Sequence, residues 1–568
     1  MDLFILLLLA PFATAYIWPS PQLDALESLR FDQLGFNGHF FFDFLDPCTF
    51  AADEVPAGRS IAADWIRTAY HDMATFNVTS GTGGMDASIR FADEQARPEN
   101  VGDAFSNTVA QLGGTPDRYV SMADVLANAA ISAMENCGGP EIPFRGGRLD
   151  AGEANAPGVP QPQDDLDATV ASFARQGFTQ TEMIGLVACG HTFGGVQHEF
   201  FPTIVPADAN GSDVVSHFDT TFVTFDNKIA TEYISGTTLN PLVVGFNDRT
   251  NSDKRIFGSD GNATMSSFAA SPALYASTCS DLIARMVDTV PLGVNLTEVI
   301  TPLAIKPTNL ALTLDGDVLT FSGQVRIWNR TQSDATSGTV IMLLDDHEGG
   351  STNVTLQFAG SGSATAGRYT TAWYTFGPIQ LDAVKGLASL RFLVDGVLDD
   401  QNGAGYKVQD NVVFSASSCA VSTNPVAWRL DVGIRTSLNA THVFLETAVQ
   451  DSVQRWSVLE TDLSPPASPP ITINPAYTAW SIVLDDIVDE FEAIDAVVES
   501  SDGERFSTET TGGTPAFGRL PMCVTQRCHL TRTGFSGHNH ADGSPTSKKK
   551  KTLAIECLRR LEPDLKLS

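Results

Sequence analysis

From about residue 60 to about residue 290, apolar positions recur at helical spacing. In RSIAADWIRTAYHDMAT, Ile61, Trp65, Ile66 and Ala69 are available for packing on a helix. SMADVLANAAISAME (121–135), DDLDATVASFARQG (164–177) and TQTEMIGLVACG (179–190) are rich in Ala, Leu and Met at the same spacing. Gly- and Pro-rich connections such as APGVPQPQ (156–163) separate them. Near residue 298 the texture changes. NLALTLDGDVLTFSGQVRIWN and GTVIMLLDDHEGGSTNVTLQFAG alternate apolar with polar or small residues and are broken by Gly and Asp, which predicts strands of a β-sandwich. A second β-rich stretch runs from VAWRLDVGIRTSLNATHVFLETAVQD to about residue 512, with SPPASPP (464–470) as an internal loop. Each stretch has the size of one sandwich, so the pattern predicts a multidomain chain: a mainly α domain (16–297), a β-sandwich (298–420) and a second β-sandwich (421–513).

The two ends differ from the middle. MDLFILLLLAPFATA carries a short apolar run and then small residues ending at Ala15, although no Lys or Arg precedes the run. It reads as a secretory signal peptide over 1–15, too short to span a bilayer, and no later segment is long and apolar enough to do so. Residues 514–568 are basic, polar and weakly patterned, and read as a disordered tail or a gene-boundary artefact. Cys523 and Cys528 with His529, His538 and His540 give no convincing four-ligand zinc spacing.

Composition narrows the partners. The chain has 568 residues, 43% of them hydrophobic and 18% charged, which is globular, and its net charge of −32 argues against nucleic acid or an anionic membrane surface. Sequons stand at Asn77, Asn210, Asn262, Asn295, Asn329, Asn353 and Asn439, which with the signal peptide predicts a secreted, extracellular glycoprotein. Eight cysteines are few for this length and suit occasional disulfides bracing large domains.

The chemistry lies in two histidine motifs. RTAYHDM places Arg67 and His71 four residues apart on one helix face, and MIGLVACGHTFGGVQ ends a helix at His191. Either alone reads as a capped or solvated helix end. Two such motifs in this order, about 120 residues apart, resemble the plant, fungal and bacterial haem peroxidase superfamily, with the secreted fungal (class II-like) branch the nearer match. The resemblance covers roughly residues 45–290.

It implies haem b, with His191 as the axial iron ligand and Tyr70 as the aromatic above the haem. It makes His71 the residue that moves a proton between the peroxide oxygens, with Asn100 accepting from its other nitrogen and Glu94 supporting that bond. Arg67 offers a fixed charge where negative charge develops. In RIFGSDG, Asp260 matches the aspartate expected to accept from the proximal histidine. Phe218 stands beside that ligand where intracellular relatives carry tryptophan, which favours a porphyrin radical in the oxidised, oxoferryl state.

The resemblance also implies two calcium ions. Asp72, Gly84, Asp86 and Ser88 match a distal site; Thr192, Asp219, Thr221, the Thr224 carbonyl and Asp226 match a proximal one. Asp124 and Arg148 match a structural ion pair. Cys48 and Cys137 match a family disulfide, and Cys189, two residues before His191, reads as buried or paired, with Cys279 the candidate partner.

The resemblance also implies a substrate class, small donors being the family default. Manganese-oxidising relatives need three acids where this chain has Ser60, Asp64 and Gln197, and relatives that oxidise high-potential aromatics carry a surface tryptophan where this chain has Leu186. Trp65 reads as core. The expected partners are hydrogen peroxide and small, phenolic or other aromatic donors reaching the haem edge near Val159–Pro162, oxidised by one-electron steps. The rival reading is a non-enzymatic wall or matrix glycoprotein whose β-sandwiches act on a vestigial peroxidase fold. The β domains are candidates for wall contact, but Trp328, Trp373, Trp428 and Trp480 read as core rather than as a sugar platform.

Overall fold

The computed structural model describes residues 20–46, 48–49, 58–207, 214–423, 426–463, 472–485 and 494–508. The expected signal peptide, the tail and sequon Asn210 lie outside these residues. Among the described residues, no helix is long and apolar enough to cross a membrane.

The first half is helical as the apolar spacing predicts. It comprises α1 (Pro21–Phe31), α2 (Ile61–Met73), α3 (Ala92–Gln95), α4 (Ala104–Leu112), α5 (Met122–Asn136), α6 (Leu166–Arg175), α7 (Gln180–Gly190), α8 (Lys228–Ser235), α9 (Ser252–Phe257), α10 (Ala263–Ala270) and α11 (Pro272–Val287). Short polar side chains start several of them. Ser60 accepts from the N–H of Ala63, Ser121 from Asp124 and Asp165 from Ala168, while Thr179 and Glu182 cap α7 reciprocally. Helix α5 is buried from Met122 to Glu135, and its run of alanines lets α2 pack closely on it. Trp65 is fully buried, and its indole N–H donates to Gln111 at 2.8 Å. Two disulfides, Cys48–Cys137 and Cys189–Cys279, brace this domain.

The second half is built of strands, in two sandwich halves with their own cores that share one large sheet. Among the described residues, one ten-stranded sheet runs through both β-rich stretches. The antiparallel pair Ile305–Asp315 and Val318–Trp328 meets the later stretch through a short parallel pairing, Phe414 opposite Thr313. Each half is backed by a smaller sheet, one centred on Val340–Asp345 and Ser389–Val394, the other on Ala440–Gln450 and Ile494–Ser500. The cores change hands earlier than the expected boundary at 421: Tyr406 belongs to the first and Val412 to the second. Backbone pairing across the boundary is invisible to side-chain alternation, which explains the difference. Trp373 and Trp428 are buried, Trp480 packs on the second core, and Trp328 packs against Phe31 and Tyr369, so these tryptophans are core.

The N-terminal segment joins the two halves. Leu34 and Gly35 pair with Ser363 and Gly362 of the large sheet, and α1 lies between the helical domain and the strands. Arg30 reaches Glu135 at 2.6 Å. On the other side Glu27 pairs with Lys306 at 2.7 Å and with Arg326, which also meets Asp32 at 2.6 Å. Lys306 is shared with Asp24. Burial alone would raise the Glu27 carboxyl, but the two cations outweigh it and hold it below its ordinary range. Removing one partner strands the rest in a dry interior. Glu27→Ala is expected to destabilise the protein by roughly 3–5 kcal/mol, read as a lowered urea midpoint, and joint replacement of Glu27, Lys306 and Arg326 by methionine should recover much of the loss.

Candidate active site

Helix α2 carries the first half of the site. His71 Nδ1 lies 2.7 Å from Asn100 Oδ1, so that nitrogen holds the proton and Nε2 keeps its lone pair. The Asn100 amide donates to the Glu94 carbonyl at 2.7 Å, and the Glu94 carboxylate accepts from Ser88 Oγ and from the Asn155 N–H. Burial, reinforced by the Arg67 charge, pushes His71 down to about 3, so its imidazole is neutral over the physiological range. Burial also lowers Arg67, to about 10, which leaves it cationic. Its guanidinium donates to the Val101 carbonyl at 2.8 Å and lies 4.6 Å over the Phe105 ring, which also packs against His71. Gly102, at φ +109, lets the chain pass this close: an added Cβ would sit 3.3 Å from Arg67 Nη1. Tyr70 stacks on Phe173 and its hydroxyl points to Gln176 at 3.5 Å.

The second half is at the end of α7. His191 caps that helix, and its ring stacks on Phe218 at 4.2 Å and 10°. Its Nδ1 lies 2.8 Å from Asp253 Oδ2, which also accepts from the Asn240 amide at 2.8 Å. Asp253 is fully buried, whereas the His191 side chain stays 30% exposed. With Nδ1 committed to the carboxylate, Nε2 is the nitrogen left for a metal. An imidazole held by a buried carboxylate and open elsewhere is a donor of the kind that suits haem iron.

This corrects the sequence expectation at one residue. Asp260 does not reach His191: its carboxylate accepts from the N–H groups of Ala263 and Thr264 and from the Thr264 hydroxyl, starting α10. A second Ser-Asp pair, Ser252-Asp253, stands seven residues earlier at the start of α9. Both pairs fit the order of the motif. Only α9 brings its aspartate behind His191.

The expected calcium sets differ in their fit. On the proximal side, Thr221 Oγ1 lies 3.1 Å from Asp226 Oδ1, the Thr192 hydroxyl is 2.9 Å from the Asp226 carbonyl, and Thr224 lies in the same turn. Among the described residues, Asp219 Oδ2 is buried without a hydrogen-bond partner, and burial together with Asp226 and Glu232 pushes Asp219 up to about 7. Converging oxygens with an orphaned carboxylate oxygen suit a hard cation. The distal set does not fit as expected. Both Asp72 oxygens are taken: Oδ2 by the N–H groups of Asp86 and Ala87, Oδ1 by those of Ile89 and the Ser88 hydroxyl. Asp86 and Ser88 face the Asn155 amide, and Gly84 donates its N–H to Thr75 Oγ1.

Other expectations find their places. Asp64, the single acid at the manganese positions, is bound by Arg59 at 2.7 Å, which also pairs with Asp103, so a cation already occupies that corner. Asp124 and Arg148 form a buried pair at 2.9 Å, with the Gly147 and Arg148 N–H groups also donating to Asp124. Leu186 is buried and Val159 is buried beside the half-buried Pro160 and Gln161. Sequence reading missed Asp253, Asn240, Arg59 and Asn155; of these only Asp253 carried a signal, its Ser-Asp pair.

A family model described as peroxidase matches residues 49–271. The chain is 30% identical over 186 residues to "L-ascorbate peroxidase 2, cytosolic" of Oryza sativa, covering 68% of that protein and 32% of this chain. The chain belongs to the haem peroxidase superfamily. It is also 31% identical over 182 residues to "L-ascorbate peroxidase 5, peroxisomal" of Arabidopsis thaliana, covering 61% of that protein and 32% of this chain. A "WSC domain-containing protein" of Arthroderma benhamiae is 36% identical over 338 residues, 59% of this chain and 46% of that protein. The match therefore spans about half of that relative's length and is longer than the 49–271 peroxidase segment. The peroxidase domain thus contains both histidines, Arg67, Asn100 and Asp253, while α1 and the β-rich region lie outside the family model.

Proposed function

We propose that the protein is a secreted haem peroxidase that reduces hydrogen peroxide to water while oxidising small phenolic or other aromatic donors in one-electron steps. The observation that carries this reading is the His71–Asn100 hydrogen bond in a site that keeps His71 neutral. Haem would be held through His191 Nε2, with Phe218 and Tyr70 as the aromatic residues lining its site, and would supply the iron and the redox capacity. The chain's own residues do the rest. His71 Nε2 accepts a proton from one peroxide oxygen and returns it to the other as water leaves, and Asn100 keeps the ring in the tautomer that permits this. Arg67, still cationic, stabilises the charge that develops on the departing oxygen. Asp253 accepts from His191 Nδ1, holds the ring in orientation and leaves Nε2 as the donor nitrogen.

Calcium at the proximal oxygens of Thr192, Asp219, Thr221, Thr224 and Asp226 belongs to the same proposal. So do secretion and glycosylation, supported by the exposure of Asn262, Asn295, Asn329, Asn353 and Asn439. The occupation of Asp64 by Arg59 favours organic donors over manganese. Phe218 and the two disulfides favour the secreted fungal branch. Wall or matrix contact through the β-rich region, which lies outside the peroxidase family model, belongs to the same proposal.

The test is an absorption spectrum of the full-length secreted protein loaded with haem, before and after one equivalent of hydrogen peroxide. A Soret band that loses intensity and recovers when a phenol is added is the expected result. Failure to hold haem, or slow bleaching without recovery, would favour the non-enzymatic glycoprotein reading.

A further inference from the structure

Asn155 lies on the extended segment between α5 and α6, outside every motif that marks the domain. Its side-chain amide nitrogen is 2.9 Å from each Asp86 oxygen, 3.0 Å from Ser88 Oγ and 3.3 Å from Thr75 Oγ1. All four neighbours are oxygens and two belong to a carboxylate, so the amide must present its NH2 group there and not its carbonyl. Asp86 and Ser88 are two of the residues that would ligate a distal cation, and the third side chain, Asp72, has both oxygens engaged by loop N–H groups and Ser88. The nitrogen thus occupies the side-chain oxygens of two of the four expected ligand residues, Asp86 and Ser88.

We propose that the Asn155 amide takes the place of the distal calcium ion, so that this peroxidase binds no ion there and fastens the loop after α2 with a neutral side chain instead. The same residue fastens the support of His71. Its main-chain N–H donates to Glu94 at 2.8 Å, its carbonyl accepts from Arg97, and Ser88 Oγ reaches the other Glu94 oxygen at 3.1 Å. One residue therefore joins the loop at 86–88 to the Glu94–Asn100–His71 chain, the two parts that a cation and its loop would otherwise hold. The amide has two hydrogens for four acceptors and no net charge, so it is a weaker tie than a dication. It needs no ion to be available.

The inference rests on the peroxidase reading for its frame, but its test does not need turnover. Calcium bound per chain is measured on the full-length protein after exhaustive dialysis and reloading with calcium alone, for wild type, Asn155→Asp, Asp86→Asn and Asp219→Asn. Asn155→Asp is expected to hold one more calcium per chain than wild type, and its Tm should rise with calcium more than that of wild type. Asp86→Asn should leave the wild-type count unchanged, and Asp219→Asn should lower it by one. A wild-type count of two, one of them lost in Asp86→Asn, would overturn the proposal, and that comparison decides the matter if Asn155→Asp does not fold. So would an Asn155→Asp variant that folds and binds no more calcium than wild type. A wild-type count of zero with one ion in Asn155→Asp would sink the proximal calcium and support the distal proposal.

Discussion

His71→Leu is expected to slow the reaction of the haem-loaded protein with hydrogen peroxide by roughly a hundred- to ten-thousand-fold, the usual contribution of a positioned acid–base group. Stopped-flow absorbance at the Soret band checks it, and haem content should not change, because His71 is not an iron ligand in this reading. The pH dependence sharpens the prediction. Burial first, and Arg67 second, hold His71 at about 3, so the base stays unprotonated where an ordinary histidine would be charged. The rate should therefore lose little to His71 protonation between pH 7 and pH 4. Arg67→Leu removes the neighbouring charge, so it should lower the rate and move the acid limb to higher pH. Stability has the matching sign. Between about 3 and 6.5 the unfolded chain takes up a proton at His71 that the folded chain refuses, so this group's contribution is present above pH 6.5 and is lost as pH falls below it. An acid limb at pH 6 or above in the wild type, assigned to His71, would count against this geometry.

The second large effect separates two neighbouring aspartates. Asp253→Asn is expected to reduce turnover by about 10- to 100-fold, because the carboxylate that accepts from His191 Nδ1 is lost while the amide keeps the shape. Asp260→Asn should leave turnover near wild type and cost only part of a helix cap, about 0.5–2 kcal/mol at most. A reduction potential measured on the haem-loaded variants distinguishes an electronic effect from a packing defect. It should rise in Asp253→Asn, where the iron ligand loses its negatively charged hydrogen-bond acceptor, and stay fixed in Asp260→Asn. If Asp260→Asn moved the potential and Asp253→Asn did not, the assignment of the proximal carboxylate would be wrong.

The confusion between those residues marks how far one-dimensional reading reaches. Arg67 and His71 were legible because a single helix sets their spacing, and Asn100 and Glu94 because a short segment delivers both. The His191 partner was not. Two Ser-Asp pairs seven residues apart are equivalent in one dimension, and the choice depends on where α9 packs. Asn155 and Arg59 had no signal of their own, since an asparagine in a loop and an arginine before a helix are ordinary surface residues until the fold surrounds them. The two β stretches were readable as strands from alternation. Their union in one sheet was not, because it is made by main-chain groups of residues far apart in sequence.

The sequence by itself determined the helical first half, the strand-rich second half and the acid–base pair on α2, because helical and strand periodicities are local and the pair lies within one turn of helix. Tertiary structure alone decided which carboxylate serves His191, which amide fills the distal loop, and how α1 ties the two halves through Glu27, Lys306 and Arg326. Each of those is a contact between side chains separated by tens to hundreds of residues. A buried charge or lone pair finds its partner by proximity in the folded chain, and local pattern does not encode that proximity.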